Sequence, residues 1–452
     1  MNSKSYGDYV VMKFGGTSVG TPERIRGVAS LIEGPEPKVV VLSAMSGVTN
    51  TLVEISRLFT EGNVQGALGL IEGLREKYSA AISELYRREE TKEAARQFVA
   101  GKMDFIRNFS EELFTDFEEK QILAVGEMIS VRMMAAFLRE SGRSVTCLNA
   151  LDYMVTDKYG EPNLRITREK LLELLALYPE QNLFLTEGYI CMNAYAETDN
   201  LKRGGSDYTA TIIGACLDAR EIQIWTDIDG LHNNDPRVVE GTAPVRELHF
   251  NEAAELAYFG AKILHPSCIL PAQMANIPIR LLNTFDPSAP GTLISNRIEE
   301  GRLKAVAIKD GITVLRIVSN RRLIARAFLR RVFEAFEKYQ TPIDVVSTSE
   351  VAVSVGIDSS RRLEELLLEL RNYGEVMSDK EMSIICIAGD LNWKNAGFEG
   401  AIIQALEDLP IRMISYGGSN HNVSVVIRTA DKQEALRRLS KHLFAPKGGV
   451  TK

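Results

Sequence analysis

Tyr9-Val10-Val11-Met12-Lys13-Phe14, stopping at Gly15-Gly16-Thr17-Ser18, is the stretch from which the fold is read. It is a short apolar run that ends on paired glycines. A helical segment follows, opened by Thr21-Pro22-Glu23, and the valine-rich run Val39 to Leu42 comes next. Runs that are apolar on both faces and separated by helices predict parallel strands of an α/β sheet. Residues 50 to 140 are rich in Glu, Lys, Arg and Leu and are expected to be mostly helical. Further strands are expected at Ser144 to Leu148, Asn182 to Thr186, Glu221 to Thr226 and Pro278 to Leu282. The turn-rich stretch Pro287 to Gly291 then closes this part.

Beyond residue 300 the pattern changes. A strand at Ile312 to Ser319 precedes a helix at Ala325 to Gln340, whose Phe328, Val332, Phe333 and Phe336 fall on one stripe. Strands at Ile343 to Ser349 and Val351 to Asp358 flank a tight turn at Glu350, and the helix Arg361 to Tyr373 ends at Gly374. The order then recurs: strand Met382 to Ala388, helix Gly397 to Asp408, strands Ile411 to Tyr416 and Asn422 to Arg428, helix Lys432 to Phe444. A β-α-β-β-α unit written twice predicts two small α+β modules behind one large α/β domain.

The chain has 452 residues, 53 Lys and Arg against 60 Asp and Glu, and a formal charge of −7. A mildly acidic chain without a basic block is not expected to be a dedicated nucleic-acid binder. No apolar run approaches the length of a membrane span, and the N-terminus lacks the apolar core of a signal peptide. The five cysteines are scattered without a CxxC pair, which fits reduced thiols and a cytoplasmic address.

Four places bear chemistry. At Lys13 to Ser18, glycines after a strand let backbone N–H groups approach an anion, and Lys13 lies inside an apolar run where a lysine is costly unless it meets one. Arg203-Gly204-Gly205-Ser206-Asp207 stands before the helical run Tyr208 to Leu217. Ser206 or Asp207 alone would be a helix cap; the group together suits phosphate oxygens and a Mg²⁺ ion. Thr226-Asp227-Ile228-Asp229-Gly230, with Asp235-Pro236-Arg237 behind it, follows a strand end, where open α/β sheets bind ligands, but its carboxylates equally suit turns. Gly126-Glu127 is expected to open an amphipathic helix carrying Met128, Val131, Met134 and Phe137, with Glu127 as a partner of the helix dipole. The five histidines show no ligand spacing, and His265 before Pro266 reads as structural.

These motifs, in this order, resemble the aspartate kinases: KFGGTSV (13–19), VLSAMSGVTN (41–50), LAVGEMIS (123–130), LKRGGSDYTA (201–210), IWTDIDG (224–230) with DPR (235–237), and FGAKILHP (259–266). STSEVAVSV (347–355) and IRMISYGGSNHNVSVVI (411–427) are similar to paired ACT domains, and the length is similar to the monofunctional, lysine-sensitive type. The resemblance implies an amino acid kinase-like three-layer sandwich with a mainly parallel sheet over residues 1–298. Two ferredoxin-like ACT domains would follow, the first at 312–380 and the second built from 303–311 and 381–452. It implies transfer of the γ-phosphate of Mg-ATP to the β-carboxylate of L-aspartate, the first step toward lysine, threonine and methionine. An aspartate carboxylate is already ionised near neutrality, so the enzyme has to neutralise and align rather than supply a base.

By motif position, Lys13 and Asp207 would be catalytic, with Asp207 organising the phosphate end with Mg²⁺ and no metal bound by the protein alone. Gly15, Gly16, Ser43, Gly204 and Gly205 would bind phosphate. Thr49, Glu127, Arg203 and Ser206 would bind aspartate, Glu127 taking its ammonium and Arg203 its α-carboxylate. Thr226, Asp227, His232, Arg237 and Lys262 would bind the nucleotide, His232 standing where the family usually has tyrosine. Lys202 stands where it usually has glycine. Phe328, Leu329, Asp344, Ser349 and Glu350 would form an effector site in a homodimer joined through its ACT domains. The loop Ser319 to Ala325 departs from the lysine-sensitive pattern: one residue longer, with Arg321 and Arg322, and Ala325 in place of a serine. Lysine is therefore expected to inhibit less tightly than in close relatives, with threonine as the other effector. A glutamate- or uridylate-type kinase would lack the Glu127 helix and the doubled tail. A non-catalytic amino-acid sensor would have no use for Lys13, Arg203 and Asp207 together, and a nicotinamide dehydrogenase would need a GxGxxG turn.

Overall fold

A computed structural model describes residues 6–111, 114–201, 204–261, 264–319, 325–358 and 362–444. The chain divides into two compact units, Met1–Leu231 with Leu264–Asn296, and His232–Ile263 with Arg297–Lys452. Residues 232–263, expected within the catalytic domain, thus group with the second unit.

In the first unit the strands of the main sheet are β1 (Val10–Phe14), β2 (Lys38–Leu42), β3 (Thr146–Leu148), β4 (Leu183–Glu187), β5 (Glu221–Thr226), β6 (Ile279–Asn283) and β7 (Thr292–Ser295). They lie in the order β7-β6-β5-β1-β2-β4-β3, parallel except for the β6–β7 pair. Every residue of β2 and β4 is buried, as a parallel sheet covered on both faces requires. Lys13 sits in the central strand opposite Val41 on one side and Ile224 on the other. The helices of ten or more residues are α1 (Pro22–Leu31), α2 (Val48–Thr60), α3 (Val64–Leu85), α4 (Glu89–Asn108), α5 (Asp116–Glu140), α6 (Leu164–Ala176) and α7 (Gly205–Leu217).

Helix α5 differs from expectation in two ways. It begins eleven residues before Glu127, at a Thr115/Glu118 capping box, so Glu127 lies mid-helix rather than in a first turn. It is also long and apolar enough to cross a membrane, contrary to the expectation that no segment is. Of its most apolar window, 72% is buried inside the protein, so it serves as a core helix.

The second unit holds a six-stranded antiparallel sheet, β8 (Leu303–Ser319), β9 (Val345–Thr348), β10 (Ala352–Ile357), β11 (Gly374–Gly389), β12 (Ile411–Ser415) and β13 (Asn422–Arg428), in the order β9-β10-β8-β11-β13-β12. One core gathers Leu315, Ile317, Val332, Phe336, Val353 and Leu366. Another gathers Val306, Ile385, Ile387, Ile402, Val425 and Leu436. Strands β8 and β11 run unbroken through both, with a register shift between Lys309 and Ile312. Both are longer than expected: β8 begins at Leu303 rather than Ile312, and β11 begins at Gly374 rather than Met382, its mostly exposed residues 375–379 pairing with β8. Phe333 departs from its predicted stripe and is 40% exposed, whereas Phe328, Val332 and Phe336 are buried.

Candidate functional site

The carboxyl ends of β1, β2, β4 and β5 and the start of α7 bring most of the expected residues of the first unit together. Lys13 meets an anion, as its apolar setting demands: its Nζ lies 2.6 Å from Oδ1 of Asp207, with side chains 12% and 18% exposed. Neither Asp207 nor Ser206 caps α7 by its side chain. The N-cap is Gly204, left-handed at φ 78, and no side chain closes that helix end. A Cβ at Gly204 would stand 2.0 Å from the Cys268 sulfur, so the turn tolerates only glycine. The released Ser206 hydroxyl instead accepts a hydrogen bond of 2.9 Å from Ser43 Oγ. Helix α2, carrying Thr49 in its first turn, likewise starts at a left-handed glycine, Gly47, without a side-chain cap. Two helix N-termini are thus left open to an anion. The Gly15 N–H reaches the Trp225 carbonyl at 3.4 Å, so it is engaged within the sheet.

Glu127 is 4% exposed and its Oε2 has no hydrogen-bond partner among the described residues. Gly126 places it: a Cβ there would lie 2.7 Å from that of Ala44, so the glycine lets α5 press against the loop after β2. Burial pushes the Glu127 carboxyl up to about 7, against hydrogen bonding from the Ala44 backbone; the charge of Glu187 raises it and that of Lys13 lowers it. No described cation stands at ion-pair distance from Glu127, a buried acid that calls for a positive ligand.

Glu187 was not anticipated. It ends β4, is 8% exposed, and accepts a hydrogen bond of 2.9 Å from the Ala150 N–H. Burial again pushes its carboxyl up to about 7. Tyr189, two residues on, holds a left-handed backbone at φ 70, rare for a bulky residue. The signal available was position alone, since both follow a parallel strand at its carboxyl end.

Thr226 ends β5, and its hydroxyl lies 3.1 Å from Oδ1 of the exposed Asp227. In the second unit, His232 Nδ1 lies 2.8 Å from the Thr242 hydroxyl, and the exposed Arg237 is gripped by Asp235 at 2.8 and 3.0 Å. His265 is structural as expected, its Nδ1 accepting from the Ser267 N–H and capping the following helix. Arg203, Lys262, Lys202 and the arginines of the 319–325 loop lie outside the described residues. Phe328 is buried in the first core with Leu329 packed beside it, while Ser349 and Glu350 are exposed at the β9–β10 turn.

A sequence model of the amino acid kinase family matches residues 8–283, and one of the ACT domain matches 385–443. The chain is 32% identical over 457 residues to the lysine-sensitive aspartokinase 3 of Escherichia coli K12, covering 97% of this chain and 99% of that one. The chain belongs to the aspartokinase family. Among solved aspartokinases, that of E. coli aspartokinase III with aspartate and ADP, in the R-state, superposes with a TM-score of 0.83 at 29% identity over 96% of this chain and all of the other. The same enzyme with lysine and aspartate, in the T-state, gives 0.78 at 30% identity, covering 97% of this chain and all of that one. An aspartokinase is an ATP-using phosphotransferase, and its fold is the one found here: a mostly parallel amino acid kinase sheet followed by ACT domains.

Proposed function

We propose that the chain transfers the γ-phosphate of ATP to the β-carboxylate of L-aspartate, giving 4-phospho-L-aspartate, through the residues gathered at the ends of β1, β2 and β4 and at the start of α7. The observation that carries this reading is the pairing of an orphaned, buried Glu127 with the Lys13–Asp207 contact beside two uncapped helix starts. Glu127 takes the substrate ammonium, and Arg203 takes its α-carboxylate. Thr49 and Ser206 orient the substrate between them, and Ser43 joins the phosphate contacts. Lys13 neutralises charge on the transferring group, and the N–H groups of Gly16, Gly204 and Gly205 receive its oxygens. Gly15 joins them only by giving up its bond to Trp225. Thr226, Asp227, His232, Arg237 and Lys262 serve the nucleotide.

Asp207 is the carboxylate suited to a Mg²⁺ ion arriving with ATP, since such an ion takes one or two carboxylates and draws its other ligands from phosphates and water. When bound, that ion supplies charge neutralisation at the phosphates. No other described cluster of acids, histidines or cysteines is built for a metal.

The ACT modules, 312–380 and 303–311 with 381–452, give feedback control in a homodimer, with Phe328, Leu329, Asp344, Ser349 and Glu350 at the effector site. Lysine is the effector, weakened by Arg321 and Arg322, and threonine is the alternative. A cytoplasmic address goes with five unpaired cysteines. An aspartyl-hydroxamate assay with ATP, with lysine and threonine added in turn, tests the whole reading. Hydroxamate formed from aspartate and not from glutamate is the expected result. Strong inhibition by lysine at low micromolar concentration would remove any role for the arginines.

A further inference from the structure

Asp344 stands just before β9, with a side chain only 2% exposed. Its Oδ1 is already doubly engaged, by Lys309 Nζ at 2.7 Å and by the Tyr258 hydroxyl at 2.9 Å. Its Oδ2 is buried with no hydrogen-bond partner among the described residues. We propose that Lys309 fills, from within the chain, the place of the effector's ammonium group. Effector binding is then an exchange of one ammonium for another at Asp344, reported through Tyr258. This inference rests on the reading of Asp344 as part of the effector site.

Three features make the exchange workable. Lys309 and Asp310 lie at the register shift of β8, just before a left-handed Gly311, and their side chains take different partners. Lys309 goes to Asp344 of the first module, while Asp310 accepts from Ser383 and Lys432 of the second. The Lys309 ammonium also has somewhere to go. Oδ2 of the half-exposed Asp358 is 3.7 Å away, outside hydrogen-bond range but close enough to receive it after a small swing. Two ammonium groups drawn to one carboxylate repel each other, which favours release of the resident as the other enters.

Tyr258 is the last residue of the helix Phe250–Tyr258, and its ring centroid lies 5.2 Å from the Lys309 ammonium. Two residues later Gly260, at φ 105, presses so closely on β8 that a Cβ would stand 2.2 Å from the Ile308 carbonyl. The end of this helix is therefore keyed both to the backbone that carries Lys309 and to the carboxylate that Lys309 holds.

Calorimetric titration of the full chain with L-lysine and with L-threonine, paired with inhibition of hydroxamate formation, tests this. Lys309→Met is expected to bind the effector roughly tenfold or more tightly, the effect of removing one charge-assisted competitor. Lys309→Gln gives a second neutral variant that can still donate to Asp344, should the methionine form not fold. Tyr258→Phe is expected to bind as the wild type does but to be inhibited less completely. Unchanged or weakened binding in both Lys309 variants overturns the exchange, and a Tyr258→Phe inhibition curve that overlays the wild type overturns the reporting role. If neither amino acid binds the wild-type chain, or if Asp344→Asn leaves binding intact, the effector-site reading itself fails.

Discussion

Lys13 and Asp207 neutralise one another across 2.6 Å, a contact that a phosphoryl group entering between them would have to share. Lys13→Ala should lower kcat on the order of a hundredfold or more, the scale of losing one preorganised charge at a transition state, while circular dichroism stays that of the wild type. Turnover within a few-fold of normal would reduce Lys13 to a structural partner of Asp207. Glu127 makes a different demand. Its carboxyl, pushed up to about 7 by burial, is protonated below neutrality and then has no charge to offer an ammonium. The KM for aspartate should therefore rise as the pH falls below about 7, while that for ATP stays level. Glu127→Gln should raise the aspartate KM roughly ten- to hundredfold, the equivalent of about 1.5–3 kcal/mol of lost charge-assisted binding, and flatten the pH profile. Equal weakening of both substrates would move Glu127 out of the aspartate pocket.

Among elements, the start of α7 is the most constrained. Gly204→Ala would force a Cβ into the Cys268 sulfur in a left-handed backbone, at a cost of about 2–4 kcal/mol from strain and overpacking together. A lowered denaturation midpoint with an unchanged slope is the measurement that checks it. The parallel strands were legible in the sequence because burial on both faces leaves unbroken apolar runs, and β5 matches its expected limits of Glu221 to Thr226. Helix α5 was legible as a helix but not in its start, because Gly126 resembles a boundary when it is in fact a point of close packing against Ala44. The site was legible where lysine, glycine and aspartate cluster in order. Glu187 was not, since one glutamate after an apolar strand has the same appearance whether it faces solvent or is 8% exposed. The engagement of Asp344 by Lys309 was equally hidden, because 35 residues separate the partners and no local pattern marks a long-range ion pair.

Over the whole molecule, Glu127 and Glu187 share one thermodynamic consequence. Both carboxyls are raised from 4.5 to about 7 in the folded chain, so the native state binds protons that the unfolded state releases. Their contribution to stability is fully present below about 4.5 and is lost as the pH rises through about 7, amounting to a few kcal/mol apiece at most. Glu187→Gln, which can still accept from the Ala150 N–H, should melt higher than the wild type at pH 8 and equally at pH 5. A variant that melts lower at pH 8 would show that the ionised form is the stabilised one. The long strands β8 and β11 carry a consequence for recombination. Because each threads both regulatory cores, no single cut between residues 303 and 389 frees one module from the other. A chimera that takes residues 312–380 alone from a relative must graft into the middle of two paired strands, and the inherited register shift at Lys309 has to match. Exchanging 303–389 as one block keeps that pairing within one parent, at the price of rebuilding the seam along β13, so regulatory specificity in this architecture should pass between lineages as a whole tail rather than module by module.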